Sequence, residues 1–323
     1  PEASPAPTAS ASNDDGKSDD AYDIVVIGGG PAGYSAALYN ARNARSVLVI
    51  EQLSAGGQMA TTGQVDNYPG FDKGIDGFDL AEKMQNQAEG FGAETMYETV
   101  TELKLEENPK QVITTGGVIL AKSVVMASGA HPRELGIENE SQLRGRGVAY
   151  CATCDGMMFK DKDVVIVGGG NSAIADALYL SKICHHVTLI HRRDSLRASR
   201  VYEEQLKKSH IHFVWNSQVV EILADKHVTG VKVQNVVTNE MTQIDCDGLF
   251  VAIGRIPDTE IVKGQLELDK SGYIIADEST CTNIPGVFAI GDVRTKALRQ
   301  IVTAASDGAT CSYYIEQYLL DKE

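Results

Sequence analysis

Short, wholly apolar runs alternate with helix-like stretches along much of this chain. The run DIVVI at 23–27 shows no polar alternation, the pattern of a strand covered on both faces of a sheet. A glycine-rich turn follows. Residues 34–42 then read as a helix, with Ala36 and Ala37 near its start, and SVLVI at 46–50 reads as a second covered strand ending in Glu51. The same strand–turn–helix–strand pattern returns at 163–167, 175–183 and 186–190, ending in His191, Arg192 and Arg193. The two copies stand about 140 residues apart, and a duplicated unit is stronger evidence than one loop alone. A helix is expected after Leu196, followed by β-rich stretches at 212–215, 219–223 and 228–237. A covered strand runs into glycine at 248–254, its pattern repeats at 287–292, and a long helix is expected over 301–320.

The turns carry the first chemistry. In the first copy Gly28, Gly30 and Gly33 form G-x-G-x-x-G, with Pro31 and Ala32 inside it. The first glycine permits the tight turn, the second lets backbone reach a pyrophosphate, and the third lets the helix pack on the sheet. The pyrophosphate then rests on the positive end of the helix. Glu51 stands where an acid bonds ribose hydroxyls, with Gln52 beside it. The second copy has Gly168, Gly170, Asn171, Ser172 and Ala173 in the turn and His191, Arg192, Arg193 and Arg197 where the first has its acid. Arginines bind a 2′-phosphate that an acid would repel. The first site therefore suits the adenosine of FAD and the second suits NADPH. The expected fold is α/β, with two Rossmann-like dinucleotide-binding domains.

Composition narrows the partners. With 323 residues the chain has room for two domains. No apolar run approaches the ~18–20 residues of a membrane span. A formal net charge of −15 argues against nucleic acid. Residues 1–20, rich in Pro, Ala, Ser and Asp, are expected to be a disordered tail. The start at Pro1 without methionine suggests processing or trimming. The tail lacks arginine and carries acid, unlike an intact organellar transit peptide. A cytoplasmic location is expected, with an organellar one after loss of a targeting segment left open.

Six cysteines are present, and only Cys151 and Cys154 are close together. A C-x-x-C pair can close a small disulfide ring and reopen it, and Asp155 beside it can hold or deliver a proton. Half of a zinc site is the competing reading. No second C-x-x-C exists and the nearest histidines and cysteines lack ligand spacing, so no metal centre is expected. Cys184, Cys246, Cys281 and Cys311 read as single, small apolar residues.

From Ala21 onward the chain resembles the low-molecular-weight thioredoxin reductases. The resemblance rests on GGGPAG (28–33), GGQMATT (56–62), VDNYPGF (65–71), GRGVAYCATCDG (145–156), GGGNSA (168–173), HRRDSLR (191–197), AIGRIPDT (252–259) and GDVRTKALRQIVTAASDGA (291–309). It implies a three-layer β/β/α architecture in which an NADPH-binding domain carrying the C-x-x-C pair, residues 133–252, is inserted into an FAD-binding domain made of 21–132 and 253–323. It also implies a homodimer and a thioredoxin or thioredoxin-like protein as partner. By resemblance Asp292 bonds the ribityl chain of FAD. Arg299, Gln300 and Ile301 approach the flavin ring, and Gly57, Gln58 and Asn67 line its pocket. Gly129 and Ile253 fall in the cofactor-contacting set, Cys154 is the sulfur nearer the flavin, and Asp155 is the acid. Asn171 departs from the Asp common in the family loop, which removes a negative charge near the pyrophosphate.

Both the cysteine pair and the second nucleotide turn lie in the inserted segment, and both must reach one flavin. Rotation about linkers near 130–133 and 252–256 is expected, with Gly129 and Gly254 as hinge neighbours. Rival readings are a flavin-dependent dithiol oxidase, which has no need of the arginine cluster, and a peroxide-reducing flavoprotein with its own N-terminal redox domain, for which only about 20 residues precede Tyr22. A third is a non-catalytic nucleotide-dependent redox sensor. The glutathione reductase type places its cysteines soon after Glu51, where 52–71 contain none.

Overall fold

The computed structural model describes residues 21–196 and 203–322; the expected tail and Arg197 lie outside the described residues. Six α-helices are described: α1 (Pro31–Arg42), α2 (Gly77–Glu89), α3 (Ala152–Asp155), α4 (Asn171–Leu180), α5 (Glu203–Lys208) and α6 (Ile301–Leu320). No described helix is long and apolar enough to cross a membrane.

The first apolar run becomes the strand Tyr22–Ile27. It lies parallel between Val47–Glu51 and Val118–Met126, in register Ile24↔Val47 and Ile24↔Ser123. Glu94–Tyr97 extends this sheet on one side. On the other side Val118–Met126 pairs antiparallel with Lys110–Thr114, which pairs with Val100–Lys104. This meander was not read from the sequence, because its outer strands alternate charged and apolar residues over only five positions. The strand Val287–Ala289 comes back to pair with the end of Val118–Met126 and completes seven strands.

The second apolar copy builds its own sheet. Five parallel strands run in the order Val148–Ala149, Gly248–Val251, Asp163–Val167, His186–Ile190, His212–Val214. Helices α3 and α4 bury Ala152, Ile174, Ala177 and Leu180 against one face. An antiparallel three-stranded sheet, Ser217–Ala224, Val228–Asn235 and Met241–Asp245, buries Val219, Ile222, Val231 and Val233 against the other. Around the first sheet, α1 and α6 cover one face and residues such as Leu105, Val112, Val262 and Ile274 cover the other. The result is a mixed α/β fold with two Rossmann-like sheets in three layers.

Helix boundaries moved in a consistent direction. The helix expected over 34–42 begins at Pro31, where a ring that fixes φ and lacks an N–H suits the first helical position. The helix expected over 175–183 spans Asn171–Leu180. In both copies the helix starts inside the glycine turn, which aims its N-terminus at the space beyond the strand ends.

Two chain crossings join the sheets. Ala130–Pro132 and Arg255–Pro257 pair antiparallel as a two-stranded ribbon. Arg133 N donates to Gly254 O at 2.9 Å and Asp258 N donates to Gly129 O at 3.0 Å, which closes both ends of the ribbon. Gly129 and Gly254 flank it with φ of +77° and +114°.

Candidate active site

A cavity of about 890 Å³ opens between the C-terminal ends of the first sheet and the start of α3. Its size lies within the range of small-molecule and cofactor sites, roughly 300–1,000 Å³. Gly28, Gly30, Pro31, Ala32, Glu51, Gln52, Gly57, Gln58, Asn67, Gly129, Asp292, Arg299, Gln300 and Ile301 line it, together with Cys151, Cys154 and Asp155. Residues from five chain segments thus meet on one space.

The glycine turn is built for close approach. Gly28 has φ +110°, and a Cβ there would lie 2.4 Å from Ala127 O. A Cβ on Gly33 would lie 1.9 Å from Gly28 O, so only hydrogen lets α1 seat on the turn. Gly30 faces open space. One carboxylate oxygen of Glu51 accepts the Gly29 N–H at 2.7 Å and the other accepts the Gln52 N–H at 2.8 Å, which fixes the acid at the mouth of the turn. A dinucleotide fits this donor set: an open backbone turn, a helix N-terminus and a carboxylate held beside them.

The far wall comes from the C-terminal segment. The N-cap of α6 is Gln300, whose side chain and Thr303 exchange capping hydrogen bonds. Asn67 Nδ2 donates to Gln300 Oε1 at 3.1 Å, tying the segment that leads into α2 to this helix start. Asp307 in α6 accepts from Arg294 Nε and Nη2, from Lys296 Nζ and from the Gly291 N–H, each at 2.8 Å. These charges hold the Asp307 carboxyl below the usual carboxylate range despite its burial. The cluster pins residues 291–299 and so places Asp292 and Arg299 on the cavity. Burial pushes the Asp292 pKa up, with Arg255, Arg299 and Lys296 opposing.

Cys151 is the N-cap of α3 and Cys154 lies one turn on; their sulfurs are bonded at 2.05 Å. Thr153, Met157 and Met158 beside them are exposed. Burial pushes the Asp155 pKa up to about 6, with the Arg144 guanidinium pulling partly the other way. Asp155 is therefore a carboxyl that keeps its proton into mildly acidic pH, facing the same cavity as the disulfide.

The remaining expected residues lie elsewhere. Gly33 is buried in the turn behind the cavity. Ile253 packs, half-buried, on the core of the second sheet and is not part of the lining. Gly168, Gly170, Asn171, Ser172 and Ala173 form the second turn, away from the cavity. There a Cβ on Gly168 would meet Ala252 O at 2.5 Å, Gly170 faces open space, and a Cβ on Gly169 would meet the His191 ring at 2.2 Å. The second turn repeats the design of the first, with His191 in the place of Glu51. Arg192 and Arg193 are exposed next to it.

Sequence reading did not single out Arg255. It sits in the connecting ribbon, donates through Nη2 to Gln58 Oε1 at 2.6 Å and to Ala130 O at 3.3 Å, and lies 3.8 Å from Asp292. Gln58 Nε2 also donates to Ala130 O. The position falls inside the motif AIGRIPDT, but nothing local marks an arginine that bridges two distant segments.

The model of the pyridine nucleotide-disulphide oxidoreductase family matches residues 22–308. A thioredoxin reductase of Streptomyces coelicolor is 45% identical over 304 residues, 93% of this chain and 94% of that protein. The chain belongs to the thioredoxin reductase family. Members of this family with solved structures include the thioredoxin reductase of Streptococcus pyogenes, which is 43% identical, covers 94% of this chain and 100% of its own, and overlaps with a TM-score of 0.87. The Lactococcus lactis thioredoxin reductase in its FR conformation is 41% identical over 93% of this chain and 99% of its own, yet overlaps at only 0.67. Family membership implies flavin and nicotinamide binding, and it assigns this chain to enzymes that couple a pyridine nucleotide to a disulfide.

Proposed function

We propose that this protein is an NADPH-dependent thioredoxin-disulfide reductase in which the Cys151–Cys154 disulfide passes reducing equivalents to a thioredoxin or thioredoxin-like protein. The observation that carries the reading is the shared cavity: one space is lined by the first dinucleotide turn and by both cysteines. FAD held there by Gly28–Gly33, Glu51, Asn67, Asp292 and the start of α6 would supply two-electron transfer between nicotinamide and disulfide.

The chain's own residues do the rest. Two electrons and two protons open the Cys151–Cys154 bond. Asp155, whose affinity for a proton is raised by burial, takes one up and passes it to one sulfur. One thiol of the opened pair, as thiolate, attacks the partner disulfide; the second thiol then resolves the mixed disulfide and regenerates the intramolecular bond. Met157 and Met158, 52% and 57% exposed beside the pair, offer an adaptable apolar rim to such a partner.

NADPH would bind in the inserted unit 133–252, at the turn Gly168–Ala173, with Arg192 and Arg193 on the 2′-phosphate. In this arrangement the cysteines face the cavity and that turn does not. Turnover therefore requires the unit to rotate about the ribbon Ala130–Pro132/Arg255–Pro257, exchanging one for the other. The contrast between two relatives of similar identity, one overlapping well and the FR conformation poorly, supports a family with more than one arrangement. A homodimer and a cytoplasmic setting fit this reading.

The test compares NADPH with NADH as donor and thioredoxin with molecular oxygen as acceptor, following nicotinamide absorbance. Wild type should prefer NADPH and reduce thioredoxin, R192A/R193A should lose the preference, and Cys154→Ser should lose disulfide reduction. Oxygen serving as the better acceptor would favour a dithiol oxidase instead.

A further inference from the structure

The N-terminal edge of the second parallel sheet carries a side-chain cluster that the redox site does not use. Asp163 opens the strand Asp163–Val167, His186 opens His186–Ile190, and the two are partners in the parallel ladder. His185 comes just before the second strand, held by its N–H donating to Lys162 O at 2.9 Å. Nδ1 of His185 lies 2.9 Å and Nδ1 of His186 lies 3.1 Å from the same oxygen, Asp163 Oδ1. The two rings meet edge to face with centroids 3.9 Å apart. One ligand atom from each of the three residues falls within 4.8 Å of the others. The histidine side chains are 64% and 66% exposed and that of Asp163 is 45% exposed, so water has access to complete a coordination sphere.

We propose that Asp163, His185 and His186 form a binding site for a divalent transition-metal ion of the borderline class that includes Zn²⁺ and Ni²⁺. Two imidazole nitrogens and one carboxylate oxygen suit these ions, whereas Mg²⁺ and Ca²⁺ prefer oxygen alone. A tetrahedral ion with bonds of ~2.0–2.1 Å sets its ligand atoms about 3.3 Å apart. The Asp163–histidine separations need to open by only a few tenths of an ångström, which half-exposed side chains do freely. Ligation through Nδ1 uses the imidazole tautomer that carries its proton on Nε2. Asp247 adds negative charge at the same edge, where its Oδ2 accepts the Asp163 N–H at 3.0 Å.

The cluster is separate from the nucleotide turns. Those turns leave the C-terminal ends of the parallel strands, and a strand of this length spans roughly 16 Å at ~3.3 Å per residue. The ion would instead tie together the first residues of two adjacent strands and stabilise the inserted unit by mass action. Adjacent residues within a strand point to opposite faces. Both histidines reach one carboxylate because His185 lies outside the strand.

The test is calorimetric titration of the oxidised holoenzyme with ZnCl2 and with NiCl2 in a non-coordinating buffer. The closed Cys151–Cys154 bond keeps the dithiol from competing. Wild type should bind one equivalent, and H185Q/H186Q and Asp163→Asn should each weaken binding by about tenfold or more. Turnover before metal addition should match wild type in both variants. Zinc should raise the melting temperature of wild type and not of H185Q/H186Q. Cys184→Ser controls for the neighbouring thiol. No saturable heat in wild type, equal binding in H185Q/H186Q, or loss of binding in Cys184→Ser alone would each overturn the proposal and leave a plain hydrogen-bonded cluster.

Discussion

Asp307→Ala removes the carboxylate on which the C-terminal wall of the cavity depends. Asp307 is 6% exposed and Arg294 is 2% exposed. The substitution leaves the Arg294 guanidinium, the Lys296 ammonium and the Gly291 N–H without their shared acceptor. Breaking a buried ion pair from one side costs ~3–5 kcal/mol. An orphaned buried N–H adds ~1–3 kcal/mol where water does not reach it. A combined loss of ~4–8 kcal/mol is a large part of the ~5–15 kcal/mol by which proteins are commonly stable. Urea unfolding of the flavin-loaded protein, followed by far-ultraviolet circular dichroism, measures it, and the flavin-to-protein absorbance ratio should fall with it. The apolar replacement R294M/D307L should recover part of the loss, since no guanidinium is then left buried alone. The Asp307 pKa is lowered in the folded state. Its contribution is therefore fully present above the ordinary carboxylate pKa and disappears as pH falls through the lowered value, so wild type and Asp307→Ala should converge in acid. A loss under ~1 kcal/mol, the size of an exposed pair, would refute the reasoning and mean that water already enters the cluster.

Three further outcomes are expected. Asp155→Asn should slow disulfide reduction by ~10²-fold or more. Because the folded Asp155 keeps its proton to about 6, wild type loses stability as pH rises between the ordinary carboxylate value and 6. Asp155→Asn should thus melt higher than wild type at neutral pH and alike in acid; equal melting at both would show that the carboxyl is not buried. Gly33→Ala drives a Cβ to 1.9 Å from Gly28 O, a backbone atom that cannot swing away. It should yield protein with reduced flavin content, and full occupancy would show that the turn has slack. Arg255→Met removes the hydrogen bonds to Gln58 and Ala130 O, worth ~1.5–3 kcal/mol each for a charged donor, together with the 3.8 Å pair with Asp292. Because these partners all lie on the flavin side, flavin content and melting temperature should both fall; no change in either would mean that Arg255 does not brace the cavity wall.

Local pattern was enough for a good part of this molecule. The two glycine turns, the apolar strands before them and the acid or basic residues after them are set within about 30 residues of chain, where backbone sterics and strand burial act directly. The cysteine pair was legible for the same reason, since its chemistry needs only two intervening residues. Other features required the folded chain. The meander over 100–126 has no strong period of its own and is held by pairing with an inner strand. The return of Val287–Ala289 to the first sheet brings Asp292 and the start of α6 onto the cavity from far along the sequence. Arg255 acquires its contacts only because the two crossings pair as a ribbon. Asp163 and His185, 22 residues apart, meet because parallel strands begin at the same end of a sheet. The sequence by itself determined which residues form the two glycine turns and the cysteine pair, because those features are set by short-range geometry. Only the tertiary structure decided that the disulfide, and not the second nucleotide turn, faces the cavity. That choice depends on packing between distant segments, and no local pattern encodes it.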